Sequence, residues 1–382
     1  MQKYGMIFMH HYIIKEMNHD KEIINENRRS IFFVTISMQG GGTERVIATL
    51  ANYWIVHGYA VTILMIGGDN VAYKLNDGIV VKCVSSATGG DLIARMDRIR
   101  AMRDCFKSDP NATVIAMGSV ASMFASVALC GLSNRFIASE RNDPNRLNYR
   151  PIKPYERTLR NLLYTRADNL VFQTRMAMDC FPRKIRKKGY IIMNPLAEDL
   201  PRPSEYSGRK KAVITAGRLN EKKNLWLLID AFVEFHRLHG DYELLIYGDG
   251  ESRKRIEDYI SEHNLSNYVS MKGFTDSIIR EMDESRIYVS SSDSEGISNS
   301  LMEALAMGMA VIATDCPVGG SKMLIEDGIN GRLIEVGDKE GLVKALNEVS
   351  DTTIAEKYAK KAVEIRDENA VSAIVARWEK LI

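Results

Sequence analysis

Cysteine is scarce in this chain of 382 residues. Cys83, Cys105, Cys130, Cys180 and Cys316 are odd in number, widely spaced and without a CxxC pair. That excludes a disulfide framework or a zinc ribbon and fits reduced thiols. Histidine is scarce too: none of the seven stands at a strand end beside a serine or cysteine, so no nucleophile–base pair is legible. HExxH and paired-aspartate metal signatures are absent. No P-loop is present, and a nicotinamide-binding GxGxxG turn with its downstream acid is also missing, which argues against a two-domain oxidoreductase. The opening residues lack the form of a secretory signal, because His10 and His11 interrupt the apolar part and no small-residue cleavage site follows. One uncharged run is long enough to cross a bilayer, from Ala112 to Leu132, but Gly118-Ser119 divides it. It reads as a buried strand followed by a buried helix.

What is present is ordinary for a globular protein, with 45% apolar and 26% charged residues. The net charge of +2 hides an imbalance. Residues 1–195 hold 27 basic and 16 acidic side chains, whereas residues 196–382 hold 24 and 33. One half is built to meet something anionic. The densest part, Arg141 to Lys188, has thirteen basic and four acidic side chains.

Short β-branched or aromatic runs alternate with helical patterns, which predicts an α/β protein with parallel sheets wrapped by helices. Strands are predicted at Ile31–Ser37, Ala60–Ile66, Ala112–Met117, Arg135–Ser139, Ala167–Gln173 and Tyr190–Met193, and helices at Thr43–His57 and Asp91–Phe106. The polar, proline-bearing stretch after Leu196 reads as a linker. The alternation then restarts with strands Lys211–Ala216, Tyr242–Tyr247, Arg286–Ser291 and Ala310–Thr314, and helices Leu225–His239, Ser252–Glu262 and Asn299–Met307. A helical stretch from Thr353 to Leu381 closes the chain. The division predicted is an extension over 1–29, a first Rossmann-like domain over 30–195, a linker over 196–210, a second over 211–365, and a C-terminal helix over 366–382 that packs back on the first domain. Ligands of such sheets sit beyond the carboxyl ends of the strands, so two in tandem predict a site in the central cleft between them.

Four strand-end loops of the second half offer what an anion wants. In TAGRLNEKKN, Gly217 ends a strand, and Arg218 and Lys223 follow just before a helix. A guanidinium and an ammonium there can clamp a diphosphate. IYGDGES supplies Gly248 and Gly250, and SMKGFTDS supplies Gly273 and Phe274. In SSSDSEGISNSLMEALAMG, Glu295 lies in the loop, Asn299 reads as the helix cap, and Ser300 and Leu301 present free amides to an anion. Glu303 follows one turn into that helix. One carboxylate on each side of a bound phosphate suits a nucleotide sugar. The first half adds SMQGGGTERV, whose Gly40, Gly41 and Gly42 let backbone approach a phosphate or sugar.

In order and spacing these pieces resemble the retaining glycosyltransferases of family 4, also called glycosyltransferase group 1, which have the two-Rossmann GT-B fold. The matching elements are GGGTERV, SERNDP (Ser139–Pro144), QTRMAMDCFP to MNPL, GRLNEKKN, YGDGE, KGF, SEGISNSLMEALAMGMAVIATD, CPVGG and EDGINGRL, spread over residues 31 to 350. The resemblance implies that Arg218 and Lys223 bind the donor diphosphate and offset charge on it as the glycosidic bond breaks. It implies that Glu295 contacts hydroxyls of the transferred sugar and Glu303 those of the ribose. By the same resemblance, amides of Ser298, Asn299, Ser300 and Leu301 hold phosphate, Gly217 and Gly248 line the donor, Gly273 and Phe274 lie near the base, and Gly41 and Gly42 approach from the opposite domain. It implies no metal and no cofactor beyond the UDP-sugar co-substrate, and front-side attack with retention, although two carboxylates also suit double displacement. Many relatives place a histidine after the fourth strand, where this chain has Met117, Gly118 and Ser119. Arg141 and Asn142 are candidates for the acceptor side.

The same plan gives the acceptor to the basic first half. Tyr155–Arg166 reads as a helix with Leu159, Leu162 and Leu163 on one side and Arg157, Arg160 and Arg166 elsewhere, and Pro182–Gly189 adds five cations. These charges suit a lipid diphosphate-linked glycan acceptor and peripheral contact with an anionic membrane from its cytoplasmic face, or else a plain solvated surface. Nucleic acid is disfavoured, since no aromatic platforms are interleaved. The leading reading is transfer of a hexose or N-acetylhexosamine from a UDP-sugar to a growing surface polysaccharide. Transfer from GDP-mannose or another nucleotide sugar to a soluble acceptor stays open, as does an inactive sugar-nucleotide-binding protein.

Overall fold

The computed structural model describes residues 29–84, 91–145 and 151–382, so the predicted extension over 1–29 lies outside them apart from Arg29. Two parallel sheets form. The first joins β1 (Ser30–Thr35), β2 (Ala60–Met65), β3 (Val80–Cys83), β4 (Thr113–Met117), β5 (Phe136–Glu140), β6 (Asn169–Phe172) and β7 (Gly189–Ile191) in the order β3-β2-β1-β4-β5-β6-β7. The second joins β8 (Lys210–Ala216), β9 (Glu243–Tyr247), β10 (Val269–Gly273), β11 (Ser285–Ser290), β12 (Ala310–Thr314) and β13 (Arg332–Ile334) in the order β10-β9-β8-β11-β12-β13. This is the two-domain α/β GT-B architecture. Strand order reverses between β1 and β4 and again between β8 and β11, and crevices open at such points. Central strands read IFFV, TVIAM and AVIAT because both of their faces are covered by helices.

Seven helices carry the argument: α1 (Gly42–Val56), α2 (Asp91–Ser108), α3 (Ser119–Ala128), α4 (Pro154–Tyr164), α5 (Leu225–His236), α6 (Asn299–Ala306) and α7 (Val371–Glu379). Amphipathic α1 buries Val46, Ile47, Leu50 and Trp54 against one face of the first sheet. In the same core stand Val371, Ile374, Val375 and Trp378 of α7, so the end of the chain crosses back to the first domain. The crossing is tied where the Leu196 amide donates to Asn369 O at 2.8 Å and the Asn369 amide donates to Asn194 O at 3.1 Å. The helical stretch predicted from Thr353 to Leu381 consists of three helices, Thr352–Ala362, Ile365–Glu368 and α7, with bends between them where the chain changes domain.

Ala112–Leu132 folds as strand β4 and helix α3, and no helix among the described residues is long and apolar enough to cross a membrane. Helix α4 departs from its sequence pattern. Arg160 is buried, donating to Pro144 O at 2.6 Å and lying 4.3 Å over the Phe181 ring, while Leu159 and Leu162 face solvent. The basic run 182–189 immediately precedes β7, so it lies at the amino end of the sheet, opposite the cleft. Lys188 there donates to Ala167 O at 2.7 Å and Thr165 O at 3.1 Å.

Candidate active site

The second domain builds its side of the cleft from stacked strand-end loops. The Gly217 amide donates to Tyr247 O at 3.1 Å, and the Gly248 amide to Gly273 O at 2.8 Å. Gly248 has φ +126°, and a Cβ there would overlap the Gly217 carbonyl, so only glycine permits the stack. Beside these loops is a small pocket lined by residues 215–219, Lys223, Tyr247, Tyr288 and Ser290, Ser291 and Ser292. At its floor the buried Tyr288 hydroxyl donates to Ser300 Oγ at 2.8 Å, and Ser300 Oγ donates to Ala216 O at 2.9 Å. Burial holds the Tyr288 phenol above its usual value, so it stays a neutral donor.

Arg218 is exposed beside this pocket, while Lys223 reaches into it from a short 3-10 turn, Glu221–Lys223. Asn224, in the left-handed region at φ 42°, ends that turn and caps α5, and its amide donates to Asp293 Oδ1 at 2.8 Å. The loop after β8 is thereby tied to the loop after β11. Lys223 forms a short ion pair with Glu295 across this junction. Burial alone would lower the lysine's pKa, but the Glu295 carboxylate outweighs it and the net shift is upward. In this pair the cation and the acid satisfy one another.

Helix α6 begins where the β11 loop ends. Its N-cap is Ser298, whose hydroxyl accepts from the Leu301 amide, and not Asn299 as the sequence predicts. Asn299 instead joins the domains: it donates to Gly42 O at 3.0 Å and accepts from the Asn194 amide at 2.6 Å. Glu303, one turn in, is buried and pairs with Arg45 from the first turns of α1. Burial raises its pKa, and Arg45 opposes that rise only in part. Gly41 and Gly42 thus do stand opposite α6. The Gly41 loop is held by the Tyr73 hydroxyl, which accepts from Gly41 N at 3.0 Å and donates to Gly41 O at 2.8 Å. Glu44 also faces the cleft. Burial raises its pKa, while its own backbone and the field of Arg218 in the opposite domain pull it down.

Gly273 ends β10 with φ +74°, and Phe274 beside it is 76% exposed, a free ring at the rim. Arg141 and Asn142 part company. Asn142 is exposed, but Arg141 is fully buried, and burial brings its pKa down to about 10. Its guanidinium donates to Asn194 Oδ1, which also accepts from Gln173 Nε2 at 2.9 Å. Gln173 Oε1 accepts from the Ile297 amide at 3.3 Å. Arg141 is therefore a support beneath the loop that carries Glu295 and Ser298, not an open surface cation. Arg45, Tyr73, Gln173, Asn194 and Tyr288 escape sequence reading. Arg45 lies in GGGTERV, Gln173 opens QTRMAMDCFP and Asn194 stands in MNPL, but nothing in those motifs marks the three above their neighbours.

Among the described residues no group of histidine, cysteine and carboxylate side chains is arranged to hold a metal ion. The positive groups at the pocket are Arg218, Lys223 and the α6 N-terminus, a set suited to stabilising charge that develops on a bound oxyanion.

Residues 197–366 match the family described as glycosyl transferases group 1. An uncharacterized glycosyltransferase of Haemophilus influenzae is 24% identical over 354 residues, covering 92% of this chain and 99% of the relative. A Campylobacter jejuni alpha-1,4-N-acetyl-D-galactosaminyltransferase, named for a diNAcBac-PP-undecaprenol-linked substrate, is 24% identical over 361 residues, covering 92% and 98%. Among solved structures, Anabaena HepE in complex with UDP and glucose superposes with a TM-score of 0.78 at 16% identity, covering 93% of this chain and 99% of that one. The pneumococcal O-GlcNAc transferase GtfA in complex with UDP and GlcNAc gives a TM-score of 0.76 at 15% identity, covering 93% and 98%. A two-Rossmann cleft whose second domain offers cations, a helix N-terminus and two acids thus goes with a match of residues 197–366 to the group 1 glycosyl transferases, and the chain over nearly its whole length is similar to glycosyltransferases.

Proposed function

We propose that this enzyme is a retaining transferase of family 4 that moves a hexose or N-acetylhexosamine from a UDP-sugar to a glycan acceptor, carried on a lipid diphosphate, at the cytoplasmic face of a membrane. The observation that carries the reading is the convergence of Arg218, Lys223, Glu295 and the α6 N-terminus with Glu303 on one side of a single cleft. UDP stands in the names of the HepE and GtfA complexes, and an undecaprenol diphosphate-linked substrate in that of the Campylobacter relative, which supports the choice of donor and acceptor.

In this reading the donor diphosphate takes Lys223 from Glu295. The exchange frees the Glu295 carboxylate to accept hydrogen bonds from hydroxyls of the transferred sugar. Glu303, released from Arg45, accepts from the ribose, and Phe274 offers a face to the base. As the bond between the anomeric carbon and the diphosphate oxygen breaks, Arg218, Lys223 and the α6 amides stabilise the charge left on the diphosphate. The acceptor oxygen bonds to the anomeric carbon from the same side, and its proton passes to the departing phosphate oxygen. Arg45, Glu44, Gly41 and Gly42 bring the first domain against the donor.

The test is donor hydrolysis without acceptor, measured across a panel of UDP-sugars and GDP-mannose. One UDP-sugar should be turned over, and Glu295→Ala should abolish turnover while UDP still raises the melting temperature. Turnover of GDP-mannose alone would replace the donor, and full activity in Glu295→Ala would remove that carboxylate from the site.

A further inference from the structure

Among the described residues, three that are not glycine have positive φ: Asn224, Asn264 and Val318. The asparagines are ordinary there, because a short polar side chain tolerates the left-handed region. Val318, at φ 69°, is not, since a β-branched side chain in that region crowds its own backbone. Such a conformation persists only where its surroundings hold it, and it collects at functional sites.

Val318 is buried in the loop after β12, at the carboxyl end of the strand and so on the cleft side. The foot of this loop is tied to the loop after β11. Thr314 Oγ1 donates to Ser292 O at 2.5 Å, and the Cys316 thiol donates to the same oxygen at 2.8 Å. The Gly319 amide donates to Cys316 O at 3.0 Å, closing a turn around Val318. Gly320 then lies so near the next loop that a Cβ on it would overlap Gly296 O. Gly296 directly follows Glu295. The remaining hold comes from the first domain, where Thr174 Oγ1 donates to Val318 O at 2.5 Å across 144 residues of sequence. Thr174 is buried just beyond β6, and its oxygen also accepts from the Ala177 amide at 3.0 Å. That second bond fixes the hydroxyl and leaves its proton to Val318. Its neighbour Gln173 meets the Glu295 loop directly, at the Ile297 amide.

We propose that Thr174 is a positioning residue: by holding the Val318 carbonyl it keeps the β12 loop in its strained form, which packs Gly320 on Gly296 and so sets Glu295. Strain makes the arrangement conditional. Released from Thr174, Val318 relaxes toward negative φ and the support under Glu295 loosens. The end of β6 thereby couples the approach of the first domain to the placing of a carboxylate in the second. This deepens the proposed function and rests on its reading that Glu295 meets the transferred sugar.

The experiment is a double-mutant cycle between Thr174→Val, which keeps the shape and removes the hydroxyl, and Val318→Gly. Glycine holds a left-handed φ without strain, so in its background the loop no longer needs Thr174. Hydrolysis of the UDP-sugar that the intact protein turns over, UDP titration and hydrogen exchange are measured on each, with melting curves to confirm folding. Thr174→Val should lose about tenfold or more in kcat while UDP affinity stays within about threefold. Thr174→Ser, which restores the donor, should recover the parent rate. Adding Thr174→Val to Val318→Gly should cost less than about twofold. Amides of 316–320 and 294–297 should exchange faster in Thr174→Val than in the parent, a readout that needs no turnover, and Val318→Gly should suppress that difference. Unchanged kcat or unchanged exchange in Thr174→Val would overturn the proposal. So would an equal loss in both backgrounds, which is what removal of the Ala177 cap alone predicts. Full activity in Glu295→Ala would instead sink the reading of that carboxylate, and the proposal with it.

Discussion

Arg45 and Glu303 form an ion pair across the cleft in which the acid is 4% exposed and the guanidinium 32%. Replacing Arg45 by methionine keeps most of the apolar stem and leaves a buried carboxylate facing no cation. Removing one partner of a fully buried pair costs about 3–5 kcal/mol. Water already reaches a third of the Arg45 side chain, so the cost here is discounted to about 2 kcal/mol. For a domain of this size that corresponds to a fall in Tm of about 4–8 °C. The loss depends on pH in a fixed direction. Burial holds the Glu303 pKa above its ordinary 4.5 even with Arg45 present, so the native state keeps a proton that the unfolded chain releases. Stability therefore falls as pH rises from 4.5 through the folded value, and without Arg45 that window widens. Differential scanning calorimetry should find Arg45→Met close to the parent near pH 5 and clearly below it near pH 8. Arg45→Met/Glu303→Gln, with no charge to strand, should recover most of the loss. An unchanged Tm near pH 8, or an equal loss at both pH values, would refute the reasoning.

Other outcomes follow from single contacts. Gly248→Ala forces a Cβ into the Gly217 carbonyl at a φ that side chains avoid, and should cost about 3 kcal/mol or more in urea unfolding. Tyr288→Phe removes the donor to Ser300 Oγ and should cost about 1 kcal/mol by the same assay. A thiol reagent near neutral pH should label exposed Cys83 and Cys130 and spare Cys316, whose thiol burial pushes up to about 12. Cys130 should react before Cys83, because Arg166 lowers its pKa.

Strands with continuous apolar runs, such as IFFVT and AVIAT, were legible because burial on both faces leaves a strong pattern. β3, β10 and β13 were not. β3 is mostly exposed, β10 holds Lys272 and Gly273, and β13 is three residues long, so none carries a run. Helix α4 misleads for a physical reason: a guanidinium can be buried where a carbonyl and an aromatic ring receive it, and the leucines then face out. The strand-end loops of the second half were readable because glycine, cations and acids stand at fixed places within each loop. What joins the two domains was not readable. Asn194 and Asn299 are 105 residues apart, and no local spacing records that they touch. The resemblance supplies roles for some residues within motifs, whereas Tyr73, outside every motif, and Asn194, within MNPL but given no role there, act through contacts that only folding creates.

In the proposed function Arg218, Lys223, Glu295, Glu303 and the α6 N-terminus all serve one nucleoside diphosphate. Isothermal titration of the protein with UDP, UMP and uridine, repeated on Lys223→Ala, tests it most directly. UDP should bind best, uridine least, and Lys223→Ala should weaken UDP by about tenfold or more while changing uridine little. Equal affinity for UDP and uridine, or UDP binding unaffected by Lys223→Ala, would contradict the account.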